Sequence, residues 1–129
     1  MAAKLLIYHM EEARMQALEG LCEALAVQSI RVDRDSHRAP IGLLSGTADP
    51  KGLSAGAAGM AGREAAEAID EEMIVMSDFT QKQFYALLDG LKEISLKIGL
   101  KAVETPYNRY WTGEMLQAEL KRERQAVRG

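Results

Sequence analysis

Residues 73–83, Met-Ile-Val-Met-Ser-Asp-Phe-Thr-Gln-Lys-Gln, hold the clearest change of pattern in the chain. Four apolar residues in a row, bounded by polar ones, are what a strand needs when both its faces are covered. Ser77-Asp78-Phe79 reads as its exit turn. Thr80 followed three residues later by Gln83 is the signature of a capping box, in which each side chain satisfies a backbone N–H the other leaves open. Phe84, Leu87, Leu88, Leu91 and Ile94 then recur at helical spacing. Gly99 closes that connection, and Leu100 to Glu104 form a further strand, so the segment reads as strand, helix, strand.

The same order stands at the start of the chain. Lys4-Leu5-Leu6-Ile7-Tyr8 is another apolar run of strand length. Met15, Leu18, Leu21, Cys22 and Leu25 follow at helical spacing, with Glu11 and Glu12 where acidic groups favour the positive end of the helix dipole. Residues 29–33, Ser-Ile-Arg-Val-Asp, alternate and give a second, more exposed strand. Between the two units, Pro40 opens a short helix through Ile41, Leu43 and Leu44 that Gly46 closes. Residues 46–62 are rich in Gly, Ala and Ser and read as a flexible loop, followed by a weak helical patch from Arg63 to Ile69. The glycines at 52, 56, 59 and 62 match neither a dinucleotide fingerprint nor a P-loop.

One α/β domain over residues 1–129 is therefore expected: a small, mostly parallel sheet of about four strands with helices packed on it. The alternative is a ferredoxin-like α+β double βαβ with an extra C-terminal helix. The two differ in the direction of the third strand relative to the first. The last helix is expected to begin at Thr112, an N-cap with Glu114 in the first turn, and to end in a solvated run of mixed charge, Lys-Arg-Glu-Arg-Gln.

Composition narrows the function classes. With 47% hydrophobic and 27% charged residues the chain suits a globular domain, and a net charge of −3 lacks the basic surface that nucleic-acid binding draws on. No apolar run approaches the roughly 20 residues of a membrane span, and the N-terminus lacks signal-peptide character. A cytoplasmic location follows as the expectation, without nucleic-acid or membrane partners. The single cysteine, Cys22, sits on the apolar face of its helix and reads as a small core residue. Two histidines without metal-ligand spacing give no metal site, and no cofactor motif is present.

The second half carries a resemblance. Lys101-Ala102-Val103, Thr105-Pro106, Asn108 and Trp111-Thr112, together with the strand and capped helix before them and the charged helix after, resemble the bacterial domain-of-unknown-function family numbered 3783, over about residues 72–124. Glu104 stands where that pattern usually carries an apolar residue, and Tyr110 where it carries a polar one. The resemblance implies fold boundaries but no activity.

Candidate site residues lie at the ends of strands. Lys101, Thr105, Asn108, Trp111 and Thr112 occupy a strand-to-helix junction, where the free N–H groups of a helix start can hold an anion. Some of these also have a plain structural use, since Asn108 can fix a turn and Trp111, with Tyr107, can pack the last helix. His9 and Asp78 follow the first and third strands and share a crevice only if those strands are parallel. Ser45 and Ser54 lack a nucleophile elbow. The expectation is a non-enzymatic module that binds a protein partner or a small anionic ligand through the 101–112 corner. Alternatives are a small enzyme acting on an anionic metabolite with His9 as acid/base, and a self-associating structural protein forming a homo-oligomer.

Overall fold

The computed structural model describes residues 3–47 and 67–128. Beyond Thr47, the Gly/Ala-rich loop expected at 46–62 lies outside the described residues. So does the helical patch expected at 63–69 as far as residue 66, and 67–70 are irregular. The elements are β1 (Lys4–Tyr8), α1 (Glu12–Ala24), β2 (Gln28–Val32), a 3-10 turn (Arg34–Ser36), α2 (Ile41–Ser45), β3 (Met73–Ser77), α3 (Gln81–Glu93), β4 (Leu100–Val103) and α4 (Gly113–Arg128). Among the described residues, no helix is long and apolar enough to cross a membrane.

The four strands form one mixed sheet in the order β2-β1-β3-β4. β1 pairs in parallel with β2, and β3 in parallel with β4. The central pair, β1 with β3, is antiparallel, with Leu6 opposite Val75. The sheet is thus mostly parallel, as expected, but the two units meet head to tail. It is not the ferredoxin-like interleaving either, because each unit keeps its own two strands side by side instead of admitting a foreign strand between them.

Helices cover both faces. Leu5, Ile7, Ile74 and Met76 point to the side of α1 and α3, where Leu18, Cys22, Leu87 and Leu91 complete one core. Leu6, Tyr8, Met73, Val75, Leu100 and Ala102 point the other way and pack with Ile41 of α2 and Leu116 of α4. This two-sided burial explains why β1 and β3 read as unbroken apolar runs. Cys22 is buried, and burial pushes its thiol up to about 11, so it is an inert core residue as expected.

The two units follow one backbone course at a constant offset of 69 residues. Lys4–Tyr8 maps onto Met73–Ser77, and Glu12–Ala24 onto Gln81–Glu93. The left-handed residues map as well: His9 (φ 56°) onto Asp78 (φ 57°), and Ala26 (φ 58°) onto Ser95 (φ 55°). Both helices end in the same pair of bonds. Val27 N donates to Cys22 O and Ala26 N to Glu23 O in the first unit; Leu96 N donates to Leu91 O and Ser95 N to Lys92 O in the second. These are Schellman closures, with buried Val27 and Leu96 sealing the turn from outside. The antiparallel pair therefore marks an approximate two-fold axis normal to the sheet.

Where the helices meet, the symmetry is broken in a useful way. Positions 21 and 90 are equivalent, and Gly90 lies against Leu21, so that a Cβ at Gly90 would come within 2.5 Å of the leucine Cδ1. Two leucines could not both occupy that contact. A knob on one helix fills a hole on the other.

Candidate functional site

Beyond β4 the chain makes a tight turn before α4, and local hydrogen bonds account for it. Asn108 Oδ1 accepts from Thr105 N at 2.8 Å, while Thr105 Oγ1 accepts from Tyr107 N and Asn108 N, each at 3.2 Å. Asn108 Nδ2 reaches Val103 O. Thr112 Oγ1 accepts from Met115 N, so it is the N-cap of α4. The preceding loop ties this turn to the rest of the molecule: Ile41 N donates to Trp111 O, Gly42 N to Arg109 O and Glu114 N to His37 O.

The five expected site residues are thus divided. Lys101, Asn108 and Trp111 line one groove of about 380 Å³, beside Tyr107, Glu119 and Glu123. Thr105 and Thr112 are not on it; their hydroxyls are engaged in the turn and the cap. The Lys101 ammonium donates to Ile98 O at 2.9 Å. Two of the N–H groups at the start of α4 already have acceptors, His37 O and Thr112 Oγ1. The acidic residues on α4 and the occupied helix start make this groove a poor cradle for an anion. Its outstanding feature is aromatic: Tyr107, 77% exposed, stands edge-on to Trp111 with ring centroids 5.8 Å apart.

His9 and Asp78 are not brought together. Both are exposed, but the antiparallel register places Lys4 beside Ser77 and Tyr8 beside Met73, so the two leave from opposite ends of the sheet, roughly 20 Å apart along the strands. The shared crevice that a parallel β1 and β3 would have made does not form. Ser77, next to Asp78, donates its hydroxyl to Glu104 at 3.0 Å.

Glu104 is the residue whose role sequence reading missed. It also accepts from Ser45 Oγ and Thr47 Oγ1, each at 2.7 Å. Lys4 Nζ donates to Ser45 O at 2.7 Å. Three hydroxyls from α2, the residue after its Gly46 cap and β3 converge on one carboxylate, pinning the chain that leaves α2 to the end of the sheet. The only sequence signal was that an acidic residue stood at a customarily apolar place. On the same face, burial first and Glu104 second push the Tyr8 phenol far above its ordinary range. Gly113 lets the Tyr8 ring approach, since a Cβ there would lie 2.5 Å from Tyr8 Cε2.

The run at the end of α4 is less solvated than expected. Arg124 makes two bonds to the Glu71 carboxylate, and Lys121 pairs with Asp70, so α4 is fastened to the segment entering β3. The Arg124 guanidinium holds the Glu71 carboxyl below its usual range.

With turn, cap and closing helix in place, the span from just before β3 to the end of α4 can be compared with known families. Residues 72–127 match a domain of unknown function, DUF3783. The matched span takes in β3, α3, β4 and α4, in agreement with the resemblance carried by the residues around Lys101 and Trp111. The DUF3783 match leaves the first βαβ unit and α2 outside it. No curated protein and no solved structure matches the chain at a significant level.

Proposed function

We propose that the protein is a non-enzymatic binding module that engages a protein partner through the corner made by β4, the 105–112 turn and α4. The observation that carries this reading is the exposed Tyr107 set against Trp111 at the mouth of a formed groove. Large aromatic side chains at a surface are the usual anchors of protein recognition, because they bury much area while fixing few torsions. The turn that presents them is held by the Thr105–Asn108 bonds and by the strap from α2. A small anionic ligand is the lesser reading, since Glu119 and Glu123 share the groove with a single lysine whose ammonium is already bonded.

A photo-crosslinking residue placed at Tyr107 tests it in cells, with the same residue at Tyr85, exposed on α3, as control. A discrete heterologous adduct at 107 and none at 85 supports the reading; equal adducts at both, or none at 107, overturn it. Titration calorimetry with nucleotides and phosphorylated metabolites addresses the lesser reading. Saturable heat that disappears in Lys101→Ala would favour an anionic ligand over a protein.

A further inference from the structure

β4 is an edge strand: β3 lies on one side of it, and no strand pairs with its other side among the described residues. Its residues alternate, with Leu100 and Ala102 buried and Lys101 and Val103 exposed. The turn takes one outward carbonyl, Val103 O, which accepts from Asn108 Nδ2, and the outward groups of Lys101 and the N–H of Val103 are what such an edge offers to an extended chain of matching surface.

The two sides of this edge differ in charge. On the α3 side runs an open groove of about 550 Å³, with Leu88, Leu91 and Leu96 on its walls and Lys92, Lys97 and Lys101 along it. On the α4 side lies the groove already described, with Tyr107, Trp111 and Leu120 beside Glu119 and Glu123. Lys101 borders both. One is apolar and basic, the other apolar, aromatic and acidic, and β4 runs between them.

We infer that β4 takes up an extended segment of another protein as a fifth strand, acidic and apolar on the face toward α3, basic and apolar on the face toward α4. Side chains of an added strand point alternately to the two faces of the sheet, so a segment that alternates in this way meets both grooves at once. The inference rests on the corner being a protein-binding surface and specifies the class of partner. A second copy of this chain does not fit. Continuing the sheet through a two-fold axis pairs β4 antiparallel with itself, and sets the lysines of both copies on one side and the acidic α4 grooves on the other. The opposite edge is unlike this one, because Arg31 of β2 is folded onto Glu12 and Glu19 of α1 at 2.7 Å each.

The test is an amide NMR titration of the full chain with two octapeptides of one composition. Glu-Lys-Leu-Val-Glu-Lys-Leu-Val sorts acidic and basic residues onto opposite faces, and Glu-Glu-Leu-Leu-Lys-Lys-Val-Val mixes them on both. The expected result is tighter binding of the first by about tenfold, with shifts at 100–104, at Leu96 and Lys97, and at the Trp111 indole. Lys92→Glu/Lys97→Glu, two exposed positions, should weaken it by about tenfold again. Equal affinity for both peptides, shifts on β2, or no shift at millimolar peptide overturns the inference. Shifts confined to Tyr107 and Trp111 overturn the added strand while leaving the corner as a partner site, whereas a crosslink-silent Tyr107 removes the corner itself.

Discussion

The unit at 4–32 and the unit at 73–103 share a backbone course and differ in what they show to solvent. In the first, the charge of the outer strand is neutralised at home: Arg31 folds onto Glu12 and Glu19, which holds both carboxyls below their usual range. In the second, Lys92, Lys97 and Lys101 line an open groove beside the outer strand, and the aromatic turn follows directly. The shared positions are those that set backbone geometry or fill the core: His9 and Asp78, Leu18 and Leu87, Ala26 and Ser95. Inside, equivalent positions can differ in type, as Leu21 and Gly90 or Tyr8 and Ser77 do, whereas the differences that change what solvent meets lie on the rim. The first half thus closes its charge on itself, whereas the second leaves a basic groove and an aromatic turn open, the surface on which the proposed recognition rests.

If the two units are equivalent inside, equivalent core truncations should cost the same. Leu18 and Leu87 are both fully buried between sheet and helix. Leu18→Ala and Leu87→Ala should each destabilise by about 2–5 kcal/mol in urea unfolding monitored by circular dichroism. Values differing by more than about 1.5 kcal/mol would mean that one unit collapses around the cavity and the other does not, which breaks the equivalence.

The contact at the axis comes next. Gly90→Leu places a second knob against Leu21 and should cost about 1–3 kcal/mol, less what the helix gains from losing a glycine. Leu21→Ala in the same chain should recover most of that loss, giving a favourable coupling in a double-mutant cycle. Additive losses would show that the helices do not meet through these residues.

Much of this arrangement was legible in the residues. Both βαβ units, the capping box at Thr80, the αL closure at Gly46 and the N-cap at Thr112 announced themselves, because each depends on neighbours within a few positions. The direction of β3 did not, since a strand buried on both faces is an apolar run whichever way its neighbours point. The two-fold course was hidden for a related reason: over the mapped helices the sequences coincide only at Ala17/Ala86 and Leu18/Leu87, and the rest is conserved as backbone angle, not as residue type. At the site, Lys101, Asn108 and Trp111 were grouped by proximity in sequence and do line one groove. Thr105 and Thr112, equally close in sequence, turn to local bonds. The partners of Glu104, at 45, 47 and 77, were out of reach because nothing local to them encodes the meeting.

The helix starts offer a sharper contrast. Thr80 caps α3 with reciprocal bonds to Gln83, whereas Glu11 at the equivalent place makes no side-chain cap bond. Thr80→Ala should lower stability by about 1 kcal/mol and Glu11→Ala by much less, and Glu11→Thr should raise stability by several tenths. A loss at Glu11 equal to that at Thr80 would mean that the first helix is held by something other than its cap.

The smallest effect has the opposite sign and tests the offset itself. Ala26 and Ser95 hold left-handed backbone in their Schellman closures, where a Cβ crowds the following carbonyl at a cost of roughly 1–2 kcal/mol. Glycine removes that strain but gives the unfolded chain more freedom, which takes back about 0.4–1 kcal/mol. Ala26→Gly and Ser95→Gly should therefore each stabilise the protein by about 0.5–1 kcal/mol, read as a rise in the urea midpoint with unchanged slope. The two gains should also add, because the closures belong to different helices with no common partner. A gain at one position and a loss at the other would show that the pair, although matched in φ, is not matched in environment, and the correspondence between the units would then stop at the end of the helices.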